Sequence, residues 1–148
     1  MTRAEIAKSL FMQGYTCSQA VALAFADLCK IDTEELKNLM LPFGGGIARL
    51  RLTCGAVSGM VAISGLLFAD KVENKAKMYE LTRELCEKFQ VKNGSLICAE
   101  LLKGANVNAS SGGAPEERTE QYYKKRPCHE LVYDAAEILE IYLSENPI

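Results

Sequence analysis

Residues 53–69 read TCGAVSGMVAISGLLFA, and this stretch decides the fold. It carries no charged residue, and its apolar side chains occur round most of a helix circumference, which is typical of a helix packed on nearly every side. The stretch is shorter than the roughly 20 apolar residues that a membrane span needs. We therefore predict a buried central helix over about 54–69. Gly55 and Gly59, four positions apart, would let a neighbouring backbone come close to it.

The rest of the chain has helical periodicity and clear helix-start signals. Thr2 and Thr16 each precede a Glu or Gln by three residues, the capping-box pattern that opens a helix. Gly14, Pro42 and the pair Asn93-Gly94 mark helix ends. The predicted helices cover 3–13, 17–30, 33–40, 54–69, 72–91, 95–102 and 127–144. We predict a single all-α domain over 1–148, a bundle of about six or seven helices, with a flexible loop at about 104–120 that is poor in apolar residues.

Charge and composition exclude several function classes. Seventeen basic and nineteen acidic side chains leave a net charge of −2 and no long basic run, so nucleic acid is not expected as a partner. No segment predicts direct membrane insertion, and the N-terminus lacks the apolar core of a secretory signal. We therefore expect a cytoplasmic protein, in which structural disulfides are rare and cysteines serve other roles.

The chain has six cysteines, and four of them fall in the first turn of a predicted helix. These four are Cys17 after Thr16, Cys54 after Thr53, Cys98 three residues after Ser95, and Cys128 after Pro127. Free N–H groups and the helix dipole at that position stabilise a thiolate, so we expect lowered thiol pKa values. Cys17 and Cys128 also share helix faces with apolar residues and should point inward. Cys29 and Cys86 are interpreted as small hydrophobic residues.

A family resemblance rests on the centre of the chain. The segment FGGGI at 43–47, followed by TCGAVSG at 53–59, resembles the signature of the C-GCAxxG-C-C family of redox-active proteins. That family has a central Cys-Gly-Ala-x-x-Gly motif, matched at 54–59, and three further cysteines, matched by Cys17, Cys98 and Cys128. The resemblance covers about residues 10–140 and implies a small helical protein with a redox role.

The resemblance also bears on cofactors. A related domain in split-Soret cytochromes is associated with an iron–sulfur centre, which implies cluster binding here. Haem binding is not carried over, because the chain has no Cys-x-x-Cys-His and His129 is its sole histidine. We interpret His129 as a surface residue; the alternative is a proton partner for a neighbouring thiol.

Four inward cysteines at helix starts would support two kinds of chemistry. They could ligate an iron–sulfur cluster around one small cavity. Alternatively, a pair with Cα atoms within about 7 Å could cycle between dithiol and disulfide. A zinc site ranks third, because the short paired spacing of zinc ligands is missing. The predicted catalytic and ligand set is Cys17, Cys54, Cys98 and Cys128, with Gly55 and Gly59 assigned to cofactor binding.

Other polar features have plainer interpretations. Gly44-Gly45-Gly46 fits a tight turn, and an anion nest is the alternative. Arg49 and Arg51 are expected to be solvated or ion-paired, unless they supply positive potential beside Cys54. The basic run 124–126 before Pro127 is expected to be solvated.

A competing hypothesis needs no redox chemistry. The chain could be a non-enzymatic interaction module, with the cysteines as core filler or a zinc site. It would dock, as a homo-oligomer, on a membrane transporter or a redox partner through leucines of the helix over 33–40.

Overall fold

The structure is a computed structural model that describes all 148 residues, and it contains helices but no β-strand. We label the helices α1 (Arg3–Met12), α2 (Cys17–Leu23), α3 (Thr33–Met40), α4 (Gly55–Phe68), α5 (Lys75–Asn93), α6 (Cys98–Gly104), α7 (Glu120–Lys125) and α8 (Cys128–Glu145). Short 3₁₀ turns follow α2 at Ala26–Leu28 and α3 at Leu41–Phe43. The predicted all-α fold is confirmed, with one helix more than expected.

Helix α4 is the buried centre of the bundle, as the sequence predicts. Its side chains at Met60, Ile63 and Leu67 are almost completely removed from solvent. Helices α2, α5 and α8 pack against it, and α8 also packs along α1 and α2. The burial of these apolar side chains is the main force that holds the bundle together.

Two predicted helices have shifted bounds, since α5 spans Lys75–Asn93 instead of 72–91 and α6 spans Cys98–Gly104 instead of 95–102. Two further differences are larger. Helix α2 ends at Leu23 instead of continuing to residue 30, because Phe25 leaves helical geometry and turns its ring into the core. Helix α7 was not predicted, because its six residues lack an apolar stripe. Thr119 caps it by accepting a hydrogen bond from the Tyr122 N–H, a signal that the sequence does contain.

The glycine segment forms a left-handed turn. Residues 45–49 all have positive φ, between 46° and 70°, and hydrogen bonds from Arg51 N–H to Gly45 O and from Leu52 N–H to Gly46 O close it. A Cβ at Gly46 would lie 2.7 Å from the Cβ of Cys98, so the turn packs directly against the start of α6. This agrees with the interpretation as a tight turn.

None of the helices combines the length and the apolar character needed to cross a membrane.

Candidate functional site

One cavity of about 430 Å³ brings the four helix-start cysteines together. Cys17, Cys54, Cys98 and Cys128 all line its wall, although they belong to four separate stretches of the chain. Gly55 lines the same cavity. Cys29 and Cys86 do not, which matches their interpretation as packing residues.

Cys54 lies at the start of the central helix. It is the N-cap of α4 and not its first residue, a correction of one position relative to the sequence prediction. Its side chain is buried, and the N–H groups of Ala56 and Val57 face its sulfur. Its own N–H donates to the Leu96 carbonyl at 2.8 Å, which ties the start of α4 to the segment before α6.

Cys17 is held by the first turn of α2. The capping box between Thr16 and Gln19 is complete, as predicted, and Gln19 Nε2 also donates to Lys37 O at 3.0 Å. The next residue, Ser18, donates through its hydroxyl to Met40 O at 2.7 Å. These bonds fix the start of α2 against α3 and so fix the position of the Cys17 thiol.

The glycines of the central motif have different surroundings. A Cβ at Gly55 would collide with the sulfur of Cys17, so the absence of a side chain leaves room for that sulfur. Gly59 lies away from the cavity, where a Cβ would meet Ser18 O at 2.7 Å. The structure thus gives Gly59 a packing contact with α2 and no contact with the site.

Cys98 is the first residue of α6 and lies beside a cation. Its N–H donates to Leu52 O at 2.6 Å, next to an isolated β-bridge between Thr53 and Ile97. Arg51 Nη1 stands 3.8 Å from the Cys98 sulfur. The alternative interpretation of Arg49 and Arg51 was positive potential beside Cys54; the structure gives Arg51 a contact with the sulfur of Cys98.

Cys128 is the first residue of α8, directly after its N-cap Pro127. Arg126 and Arg118, both on the cavity wall, lie close enough to lower the pKa of Cys128, and Cys128 in turn raises the pKa of Tyr122 on α7. The short helix α7 therefore contributes to the site, although no sequence signal marked it as functional.

Burial decides the ionisation of three of the thiols. Removal from water raises the pKa of Cys128 to about 12 and raises the pKa values of Cys17 and Cys54 as well. The neighbouring thiols act in the same direction. Helix N–H groups oppose this change but do not outweigh it, so the expectation of lowered pKa values is wrong for these three residues.

A cluster of arginines borders the cavity. The sequence predicted no common role for them. Arg49, Arg51 and Arg126 all direct Nη2 towards Oε1 of Glu116, and all four residues line the cavity. The ion-pair interpretation of Arg49 and Arg51 is confirmed. Arg126 was expected to be solvated, but its side chain is only 7% exposed.

A further arginine of the cavity wall carries no carboxylate partner. Arg118 donates to the main-chain oxygens of Phe11 and Tyr15 and stacks over the Phe11 ring. It thereby ties the loop before α7 to the end of α1.

The remaining candidates lie outside the cavity. His129 does not line it, and its Nε2 stands 3.5 Å from Glu130 of the same helix. Its side chain is only about one-quarter exposed, whereas the sequence predicted a surface residue.

The four thiols are spread round the cavity wall. No three Cys, His, Asp or Glu side chains lie close enough together to hold one metal ion.

Comparison with known proteins agrees with the resemblance found in the sequence. A family model described as "Putative redox-active protein (C_GCAxxG_C_C)" matches residues 15–142. A relative from Archaeoglobus fulgidus, described as an uncharacterized protein, is 30% identical over 153 residues, which cover 93% of each chain. No solved structure matches.

Proposed function

The chain belongs to the C_GCAxxG_C_C family, and from that premise we propose that Cys17, Cys54, Cys98 and Cys128 ligate an iron–sulfur cluster that carries electrons. One observation supports this proposal above the others. Four cysteines from four helix starts line one cavity, whereas Cys29 and Cys86, which are not at helix starts, lie elsewhere.

The donor set suits such a cluster. Iron–sulfur clusters in proteins are held by cysteine thiolates, and the cavity wall offers four thiols and no imidazole. A cluster is larger than a single ion and its ligands stand farther apart, so thiols spread round a cavity suit it better than they suit one zinc ion. When bound, the cluster would supply one-electron transfer.

The chain's own groups would hold and tune that centre. The N–H groups of Ala56 and Val57 face the Cys54 sulfur, and the Gly45 N–H faces that of Cys17. Hydrogen bonds to cluster sulfurs raise the reduction potential. Arg51, beside Cys98, would compensate negative charge on the ligands.

The experiment is purification without oxygen, followed by an absorbance spectrum and assays of iron and acid-labile sulfide. We expect a coloured protein, and single Cys→Ala variants at 17, 54, 98 and 128 should each lose most of the iron. Cys29→Ala and Cys86→Ala are the matched controls and should retain it. A colourless, iron-free protein after anaerobic reconstitution would refute cluster binding.

A second candidate is a thiol–disulfide couple between Cys17 and Cys54. Its support is the contact of the Cys17 sulfur with Gly55, the residue after Cys54. Oxidation would join the two sulfurs and release two protons and two electrons to an acceptor. A glutathione redox titration tests this: a reversible disulfide should form in the wild type and be lost in Cys17→Ala, and its absence would refute the couple.

A further inference from the structure

Three guanidinium groups share one carboxylate oxygen on the wall of the cavity. Arg49 and Arg51 place Nη2 at 3.4 and 3.9 Å from Glu116 Oε1, and Arg126 approaches that oxygen more closely. Glu116 is the only acidic residue that lines the cavity. Three positive charges against one negative leave an excess of two at this point, in a chain whose net charge is −2.

Two of these cations are buried and the third, Arg49, is only 13% exposed, which makes the imbalance costly. The side chains of Arg51 and Arg126 are 9% and 7% exposed. A buried charge needs a counter-charge and satisfied hydrogen bonds, and Arg49 Nε is buried with no partner at all. Other donors of Arg49 and Arg51 bind the main-chain oxygens of Ala114 and Ser110, which carry no full charge.

The segment that carries Glu116 is anchored mainly through arginine side chains, including its own Arg118. We call residues 105–119, between α6 and α7, the strap. No side chain of the strap is buried, and the arginines supply most of its long-range hydrogen bonds. Glu116 itself is 40% exposed, so it can leave the arginines without exposing apolar core.

We propose that Arg49, Arg51 and Arg126 form a binding site for a tetrahedral oxyanion of the sulfate or phosphate type, and that Glu116 occupies this site as a built-in competitor. Once Glu116 is displaced, three guanidinium groups face the anion, and a dianion would neutralise two of their charges where Glu116 neutralises one. Its several oxygens also match guanidinium groups, whose paired N–H donors bind oxyanions in a fork, better than one shared oxygen does. Because Arg51 also contacts Cys98, the bound anion would lie beside the four-cysteine cavity.

The site requires no cluster, so the test uses the reduced, iron-free protein. Isothermal titration calorimetry would measure binding of inorganic sulfate, inorganic phosphate and phenyl phosphate at constant ionic strength set with chloride. We expect one anion per chain. Tighter binding of phenyl phosphate than of inorganic phosphate would identify a phosphate ester as the natural class, and the reverse order would identify the free ion.

Glu116→Gln is the decisive variant, because it removes the competitor from an exposed position. It should bind sulfate about tenfold more tightly than the wild type, whereas Glu117→Gln, a neighbouring exposed carboxylate without an ion pair, should change the affinity less than about twofold. Arg126→Gln should weaken binding about tenfold. Its control is Arg83→Gln, on an exposed face of α5.

Three results would overturn the proposal. The first is that neither the wild type nor Glu116→Gln binds sulfate. The second is that Glu116→Gln and Glu117→Gln bind sulfate with equal affinity. The third is that several sulfate ions bind each chain weakly and equivalently. If circular dichroism shows that Arg126→Gln is unfolded, the comparison of the two glutamate variants decides alone. Iron and sulfide assays are separate measurements, so failure of this site and failure of the cluster are distinguishable.

Discussion

The sulfur of Cys17 occupies the space that a side chain at Gly55 would fill. This relationship joins the start of α2 to the start of α4 and brings two of the four cysteines to one wall of the cavity. It also explains why the second residue of the Cys-Gly-Ala motif is glycine, because any larger residue would displace the Cys17 thiol.

Gly55→Ala should therefore lower stability and disturb the site. We expect a loss of about 1–3 kcal/mol in the free energy of unfolding, because the added methyl group overpacks a buried contact. Iron retention after anaerobic reconstitution should fall with it. Urea denaturation and iron assays measure the two effects.

Gly65→Ala is the matched control in the same helix. Nothing lies within 4 Å of a Cβ at that position, and its φ is ordinary for a helix. Alanine favours a helix interior over glycine, so this variant should gain about 0.5–1 kcal/mol and keep its iron. Equal effects of the two substitutions would contradict the proposed role of Gly55.

Thr16→Ala tests whether the capping box of α2 positions Cys17. The Thr16 hydroxyl accepts from the Gln19 N–H and contacts the Ser18 hydroxyl at 3.0 Å. Loss of the cap should cost about 1 kcal/mol. We also expect faster loss of iron to a chelator, because the first turn of α2 carries the thiol.

Thr2→Ala removes an equally complete capping box at the start of α1, far from any of the four cysteines in sequence. It should cost a similar free energy of unfolding but leave the rate of iron loss unchanged. If both variants lose iron at the same rate, the effect of Thr16 is one of general stability.

The buried thiols predict a decline in stability of the iron-free protein at alkaline pH. The pKa of Cys128 rises from its ordinary value of 9.0 to about 12 on folding, so between these values the folded state binds more protons than the unfolded state. The free energy of unfolding then falls as pH rises through this window. Tyr122, with a pKa raised from 10.0 to about 12, adds to the decline.

Urea denaturation under reducing conditions, at several pH values above about 8, measures this slope. Cys128→Ala and Tyr122→Phe should each make the decline shallower, because each removes one titrating group. A slope unchanged in Cys128→Ala would show that this thiol does not ionise with a raised pKa.

Much of the fold follows from local signals. The capping boxes at Thr2 and Thr16 correctly locate two helix starts, and the apolar run locates the central helix within one residue at each end. Placing cysteines at helix starts also identified the four that share the cavity.

The remaining features depend on contacts between distant parts of the chain. Whether a helix-start thiol gains or loses acidity depends on its burial, and burial of Cys128 is set by tertiary packing. Arg126 is buried because Glu116, on the strap, reaches it; no local periodicity encodes that pairing. The left-handed turn at 45–49 likewise depends on its packing against α6. Three of its five residues carry side chains, which disfavour positive φ, so the local sequence does not favour this turn.

Ile47 provides a direct test of strain in that turn. It has φ of 67°, a conformation that is unfavourable for an L residue by roughly 1–2 kcal/mol and especially so for a β-branched one. Its side chain is partly exposed, so replacement by glycine loses little buried surface. We expect Ile47→Gly to leave the free energy of unfolding unchanged or to raise it by up to about 1 kcal/mol.

Ile141→Gly is the matched control, because Ile141 is an exposed isoleucine inside the regular helix α8. There glycine should lower the free energy of unfolding by about 0.5–1 kcal/mol or more, through added freedom of the unfolded chain and lost contacts. Thermal and urea denaturation of both variants give the comparison. A larger loss for Ile47→Gly than for Ile141→Gly would mean that the Ile47 side chain stabilises the turn more than its left-handed backbone strains it.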